Sequence, residues 1–151
     1  YDGTLEGVEL AVQHLFDNDW GVMANVTMID GDTDVDVYPA ADASEQFALP
    51  GFGDAANLAV FYENEKVSAR VAYNVTGEYF TGYDQYNPLF VTERSTVDFN
   101  ATYNVSDKAA VFIEGINVTD EDVHLYSRYE EMTFLYQDHG PIYKLGFRVN
   151  F

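Results

Sequence analysis

The chain has 151 residues, a formal net charge of −19 and no cysteine. That charge excludes nucleic acid as a partner, because phosphate is repelled at long range, and the lack of thiols excludes disulfide frameworks and thiolate metal sites. No stretch reaches the ~20 apolar residues of a membrane helix, which leaves spanning strands open.

The chain opens Tyr1-Asp2-Gly3, with neither Met nor a charged-then-apolar leader, and reads as a piece of something longer. From there apolar residues recur at period two, the pattern of strands with unlike faces. Over 4–16, Val8, Leu10 and Val12 alternate with Glu9, Ala11 and Gln13. Asp17-Asn18-Asp19 forms a hairpin into 20–29, where Trp20, Val22, Ala24, Val26 and Met28 oppose Asn25 and Thr27. A second hairpin spans 56–77, with Leu58, Val60 and Tyr62, then Val67, Ala69, Val71, Tyr73 and Val75, set against Ser68, Arg70, Asn74 and Thr76. Strands follow at 96–105 and 109–117. A less regular strand covers roughly 123–136, and the last carries Tyr143, Leu145, Phe147, Val149 and Phe151 on one side. The stretches 31–54 and 78–95, rich in Asp, Gly, Pro, Tyr and Ala, read as long loops. The expectation is an all-β, antiparallel meander of about eight long strands.

Period two fits a soluble sandwich and a membrane barrel alike, since both have one wet and one dry face. Three features favour the barrel. The strands are about ten residues or more, as a tilted membrane strand requires. Arg70, Asp98, Glu114 and Arg148 sit in mid-strand on the polar face, suiting an enclosed interior with cross-strand polar pairs. The chain stops at Phe151, the last residue of an alternating aromatic strand with no polar tail, as soluble proteins seldom do. Twelve Tyr and eleven Phe against one Trp suit interfacial belts and stacking surfaces alike.

Short motifs then follow one another in a telling order. Leu49-Pro50-Gly51 precedes a strand with Tyr62-Glu63, then comes Ser68-Ala69-Arg70-Val71-Ala72-Tyr73-Asn74. Asp98 opens a strand closing at Tyr103, Asn117-Val118-Thr119-Asp120-Glu121 follows, then Tyr126, and the chain ends Gly140-Pro141-Ile142-Tyr143-Lys144-Leu145-Gly146-Phe147-Arg148-Val149-Asn150-Phe151. Over nearly the whole of 1–151 this resembles the C-terminal barrel portion of a TonB-dependent outer-membrane receptor, in the branch seen in Xanthomonas-, Caulobacter- and Alteromonas-like bacteria. Val118-Thr119 stands where many members have Leu-Phe.

The resemblance implies a barrel of roughly 22 strands with a plugged lumen, in contact with outer-membrane lipid. It implies energised uptake of a nutrient ligand such as an oligosaccharide or siderophore, driven by the TonB system through an N-terminal part that nothing here matches. It implies a transport component, not an enzyme, with no cofactor. The alternating Tyr143, Leu145, Phe147, Val149 and terminal Phe151 resemble the signal by which bacterial barrels are recognised for insertion. A periplasmic C-terminus, with eight strands, predicts that 16–19, 64–66, 105–108 and 137–141 face outward and that 31–54 and 78–95 are periplasmic, against the general rule of short periplasmic turns.

Other motifs weigh less. Asp30, Asp32 and Asp34 imitate the start of a calcium loop, but Ala41 stands where the bidentate Glu belongs, and a solvated acidic turn is the plainer reading. His14, His124 and His139 lack zinc-ligand spacing. Tyr79, Phe80, Tyr83 and Tyr86 crowd one loop as candidate ligand-stacking residues, with a packed aromatic cluster as the plainer account. Glu63, Asp98 and Glu114 offer carboxylates for a glycosidase, yet pairing with Arg70 or Arg148 is the simpler use. The Asn-x-Ser/Thr sequons at Asn25, Asn74, Asn100, Asn104 and Asn117 are the accident of a polar face rich in Asn and Thr. The rivals are a soluble carbohydrate-binding β-sandwich and a small complete eight-stranded membrane barrel.

Overall fold

A computed structural model describes residues 3–33, 51 and 53–150. All its regular structure is antiparallel β. A wall sheet of seven strands runs in the order β1 (Gly3–Leu15), β2 (Trp20–Thr33), β3 (Ala55–Glu63), β4 (Val67–Thr76), β7 (Arg94–Ser106), β8 (Ala109–Ile116) and β11 (Ile142–Val149). A second sheet joins β10 (Thr133–Gln137), β9 (Val123–Ser127), β6 (Asn87–Val91) and β5 (Tyr79–Asp84).

The smaller sheet is built from two excursions of the larger one. β4 continues past Gly77-Glu78 into β5, turns at Gln85-Tyr86, and returns through β6 into β7. β8 leads through the 117–122 turn into β9 and β10 and back to β11. The two hairpins meet where β6 pairs with β9, through Leu89 and Ser127, Phe90 and Tyr126, and Val91 and Leu125.

The antiparallel all-β reading holds; the strand count and the placing of two segments do not. Residues 123–136 are not one spanning strand but a hairpin, and 78–95 is not a loop but a hairpin with a turn at its tip. Seven strands therefore form the wall, and the ends assigned to the connections on an eight-strand count are exchanged. Val149 pairs with Ala109, and the Asn150 N–H donates to the Lys108 carbonyl at 2.9 Å. The end of the last strand lies beside the β7–β8 turn, and antiparallel pairing puts the short turns at 16–19 and 64–66 at that same end. The long connections, including 78–93 and 117–141, leave the opposite end.

Local chemistry explains the short turns. Asp19 adopts φ 68°, which Asp tolerates better than most residues, and the Phe16 N–H closes on the Trp20 carbonyl at 2.8 Å. Asn64 Oδ1 accepts from the N–H groups of Lys66 and Val67, at 2.9 and 2.8 Å, an Asx turn that closes β3 onto β4.

Register fixes the faces, because directly paired residues share one. One row of pairings across β1 to β4 links Leu10, Val26, Ala56 and Val75; another across β3, β4, β7 and β8 links Val60, Val71, Phe99 and Gly115. Val111 pairs with Phe147 and Ile113 with Leu145 on the same side. That face is apolar across all seven strands except at one end of β1–β2, where Glu6 opposes Asp30. Glycine makes room for rings on both faces: Phe61 lies over Gly21, Phe99 over Gly115 and Phe112 over Gly146, each pair directly opposed in register. A cross-strand aromatic ring shields the bare glycine backbone and restores the packing that glycine forfeits.

Candidate functional site

Three surfaces carry chemistry: the apolar wall face, the polar wall face and the excursion sheet. On the inner wall strands several apolar-face side chains are more exposed than the polar-face ones beside them, while the edge strands β1 and β11 are exposed on both faces. Val71 is 54% exposed, Leu145 82% and Phe147 79%, while Ala72 on the other face is 5% exposed and Arg70 and Phe112 are half-buried. Among the described residues the main contacts are between neighbouring strands within each sheet, and no second sheet is seen over the apolar face. Trp20 and Tyr62 pair at the short-turn end, rings 5.2 Å apart, with Tyr103 near that level. Tyr73 stands six residues along β4 from Val67, the partner of Tyr103, about 20 Å farther on at the strand rise. Tyr143 shares that far end, tilted against Phe99 at 6.5 Å.

The polar face holds Arg70, Asp98, Glu114 and Arg148, as period two requires, but does not pair them with one another. Glu114 forms an ion pair with Lys144 directly opposite, at 3.0 Å, both partners substantially exposed. Arg70 faces Asn100, Arg148 faces Ala110, and neither makes an ion pair among the described residues. Asp98 instead anchors a ladder of amides. Its Oδ2 accepts from Asn74 Nδ2 at 2.9 Å and its Oδ1 from the Asn117 N–H at 2.8 Å. Asn74 Oδ1 accepts in turn from Asn57 Nδ2. Asn117, at φ 52°, accepts from the Glu121 N–H at 3.0 Å and donates to the Glu121 carbonyl at 2.9 Å.

The excursion sheet packs its own small core. Phe80 and Leu89 are 9% exposed and Tyr126 5%, and Pro88 is fully buried. Phe80 meets Tyr83 edge-on at 5.0 Å and Phe90 at 5.8 Å, and Phe90 stacks on Tyr126 at 5.1 Å. Of the four aromatics that crowd 79–86, Phe80 is thus core, Tyr79 and Tyr83 are half-buried, and Tyr86 is exposed at the tip. Beside this core an open cleft is lined by Thr92, Asp120, Glu121, Asp122, His124, Thr133 and Tyr136. His124 Nε2 lies 3.0 Å from Thr133 Oγ1, and the Tyr136 hydroxyl donates to the Asp122 carboxylate. That bond, with desolvation and the charges of Asp122, Asp138 and Asp120, raises the Tyr136 pKa above its ordinary value.

The chain matches no known protein family, no curated protein and no solved structure.

Asp30 and Asp32 lie within β2, paired with Glu6 and Thr4, and a regular strand cannot wrap around a cation as a calcium loop does. Asp34, the third of that motif, lies outside the described residues, as does Phe151. Among the described residues no group of three or more His, Asp or Glu side chains is placed to hold a metal ion. Tyr143, Leu145, Phe147 and Val149 all stand on the apolar face of β11, the free edge of the wall.

Sequence reading alone did not single out Asn57, Lys144 or Tyr136, and read Asp122 only as part of an acidic turn, Asp120-Glu121-Asp122. Asn57 and Lys144 share the polar period with Asn74 and Glu114, so register would have paired them. The Asp122–Tyr136 contact depends on the hairpin at 123–137, which carries no turn signal.

Proposed function

We propose that this chain is part of the wall of an outer-membrane transport barrel, the C-terminal portion of a TonB-dependent receptor that takes up a nutrient ligand by energy supplied from elsewhere. One observation carries the reading. On the inner strands β3 and β4 the apolar Leu58, Val60 and Val71 are exposed while Asn57, Arg70 and Asn74 on the opposite face, with Asp98 beside them on β7, are half-buried, the reverse of a water-soluble sheet. An apolar face across seven strands exceeds what a soluble monomer leaves bare, and lipid is the solvent that favours it.

Further features support the same reading. The wall strands of 13, 14, 9, 10, 13 and 8 residues at β1, β2, β3, β4, β7 and β8 are membrane-length or close to it. Aromatics sit toward both ends of the apolar face, as girdles do. With seven wall strands, the short turns fall on the side of the last strand's end, so short periplasmic turns and long outer connections now agree with a periplasmic end. Among the described residues β1 and β11 each bond a neighbour on one side only, which fits a wall continued by further strands better than a seven- or eight-stranded cylinder closed on itself. The excursion sheet, with its cleft and exposed Tyr86, is then the outward surface that meets the ligand, for which the resemblance favours an oligosaccharide.

The test is fractionation of the full-length protein from its own cells. Recovery in the outer membrane, released by detergent and not by alkaline or high-salt washing, is the expected result; recovery as a dispersed soluble protein contradicts it.

A further inference from the structure

We propose that Asp98 is the joint by which the excursion sheet and the polar face of the wall sense each other's position. The reading of the polar face as a barrel interior comes from the proposed function; the joint itself rests on the bonds around Asp98.

The excursion reaches the wall through few covalent links, and the 117–122 turn is one. That turn bends through two non-glycine residues at positive φ, Asn117 at 52° and Asp120 at 58°, a conformation that Asn and Asp tolerate better than most residues and that hydrogen bonds fix in place here. Asp98 supplies the hold. Its carboxylate takes the Asn117 N–H with one oxygen and the Asn74 side chain with the other. Beside it the Val118 N–H donates to the Val97 carbonyl at 2.9 Å. On the outer side the Asn117 amide clamps both backbone groups of Glu121, two residues before β9 begins. β9 carries Tyr126, stacked on Phe90 of the other excursion. On the inner side Asn74 receives Asn57. One carboxylate therefore connects β3, β4 and β7 on the polar face to the turn that positions β9.

The donors and acceptors run in one direction. Asn57 donates to Asn74, Asn74 donates to Asp98, and Asn117 donates to Asp98 from the far side. The carboxylate is the sink of both arms, and bonds to a charged acceptor are roughly twice as strong as neutral ones. If the Asn117 turn moves with a ligand on the excursion sheet, Asp98 must release or follow it, and Asn74 with it. Coupling of this kind is reciprocal, so disturbing either arm must be felt at the other.

The experiment is amide hydrogen exchange on the full-length protein in lipid, with heat-modifiable migration on gels as the control for a folded barrel. Asp98→Ala is expected to speed exchange across 117–127 by about tenfold or more, the scale set by losing a charge-assisted bond, with β1 and β2 unchanged. Asn74→Ala, which leaves the turn itself intact, is expected to speed it several-fold through the inner arm. The decisive variant exchanges the partners, Asn74→Asp with Asp98→Asn. The new carboxylate then accepts from Asn57 and from the new amide, whose oxygen still accepts the Asn117 N–H, and exchange is expected to return close to the original rate. Folded variants in which 117–127 keeps its protection without Asp98, or in which the exchanged pair is no better than Asp98→Ala, overturn the joint. Should Asp98→Ala not fold, Asn74→Ala and the exchanged pair decide the matter by the same criteria. Exchange does not depend on where the protein resides, so a soluble protein with an intact joint would contradict only the membrane reading.

Discussion

Asn150 donates its backbone N–H to the carbonyl of Lys108 at 2.9 Å, so the end of the last wall strand lies beside the turn joining β7 to β8. This bond orients the molecule. Everything short lies at the end it marks, and everything elaborated lies at the other.

The first prediction concerns sidedness. Single cysteines at Tyr86 and Tyr129, both exposed on the excursions, should react in intact cells with a thiol reagent that does not cross membranes. Cysteines at Asn18 and Lys108 should react only after the cells are opened. The reverse pattern would place the short turns outside and remove the orientation argued from Asn150.

How much of this was legible beforehand depends on the segment. Strict alternation placed β1, β2, β3, β4, β7, β8 and β11 within a few residues, because a strand with one apolar and one polar face has no other reading. It also placed Arg70, Asp98, Glu114 and Arg148 on one side. Their partners were not legible, since alternation gives a face but not a register. The excursions were missed because their turns lack the usual signals. The tip of β5–β6 puts Gln85 and Tyr86 at φ 45° and 70°, the sign pattern of a type I′ turn normally written Asn-Gly. Pro88 stands within β6, where proline is expected to exclude a strand; it is tolerated at the second position, its carbonyl accepting from the Arg128 N–H at 2.9 Å. The β9–β10 turn bends at Arg128, φ 61°, with neither Gly nor Asn between Ser127 and Thr133. One undetected hairpin changed the strand count by one and thereby turned the molecule over.

The second prediction tests the ring-over-glycine pairs. A Cβ at position 146 would meet the ring of Phe112, which cannot leave without uncovering the backbone below it. Gly146→Val should cost about 1–3 kcal/mol, as overpacking does, read as a lower urea midpoint of the lipid-reconstituted protein. Coupling it with Phe112→Ala should recover part of the loss. An unchanged midpoint for the single variant would mean the ring is not held there.

The third concerns pH. The Tyr136 phenol is held neutral by donating to Asp122. Because its folded pKa is raised, this contribution is present below the unfolded value of 10.0 and is lost as pH rises through the folded value. Difference-absorbance titration comparing the protein with its Tyr136→Phe variant should assign to Tyr136 a phenol that ionises later than a free tyrosine, and Asp122→Asn should bring it down. Ionisation at or below the ordinary value would break the assignment.

The most direct measurement charges the outer face. Leu145 is 82% exposed in the middle of β11, so in water Leu145→Lys would be harmless. Against lipid a lysine near the midplane costs about 2–4 kcal/mol, while Ser68→Lys, on the polar face, should be tolerated. Urea unfolding of the full-length protein in lipid vesicles should show a clear loss for Leu145→Lys and little for Ser68→Lys. Equal stability of the two variants would contradict a wall whose apolar side meets the membrane.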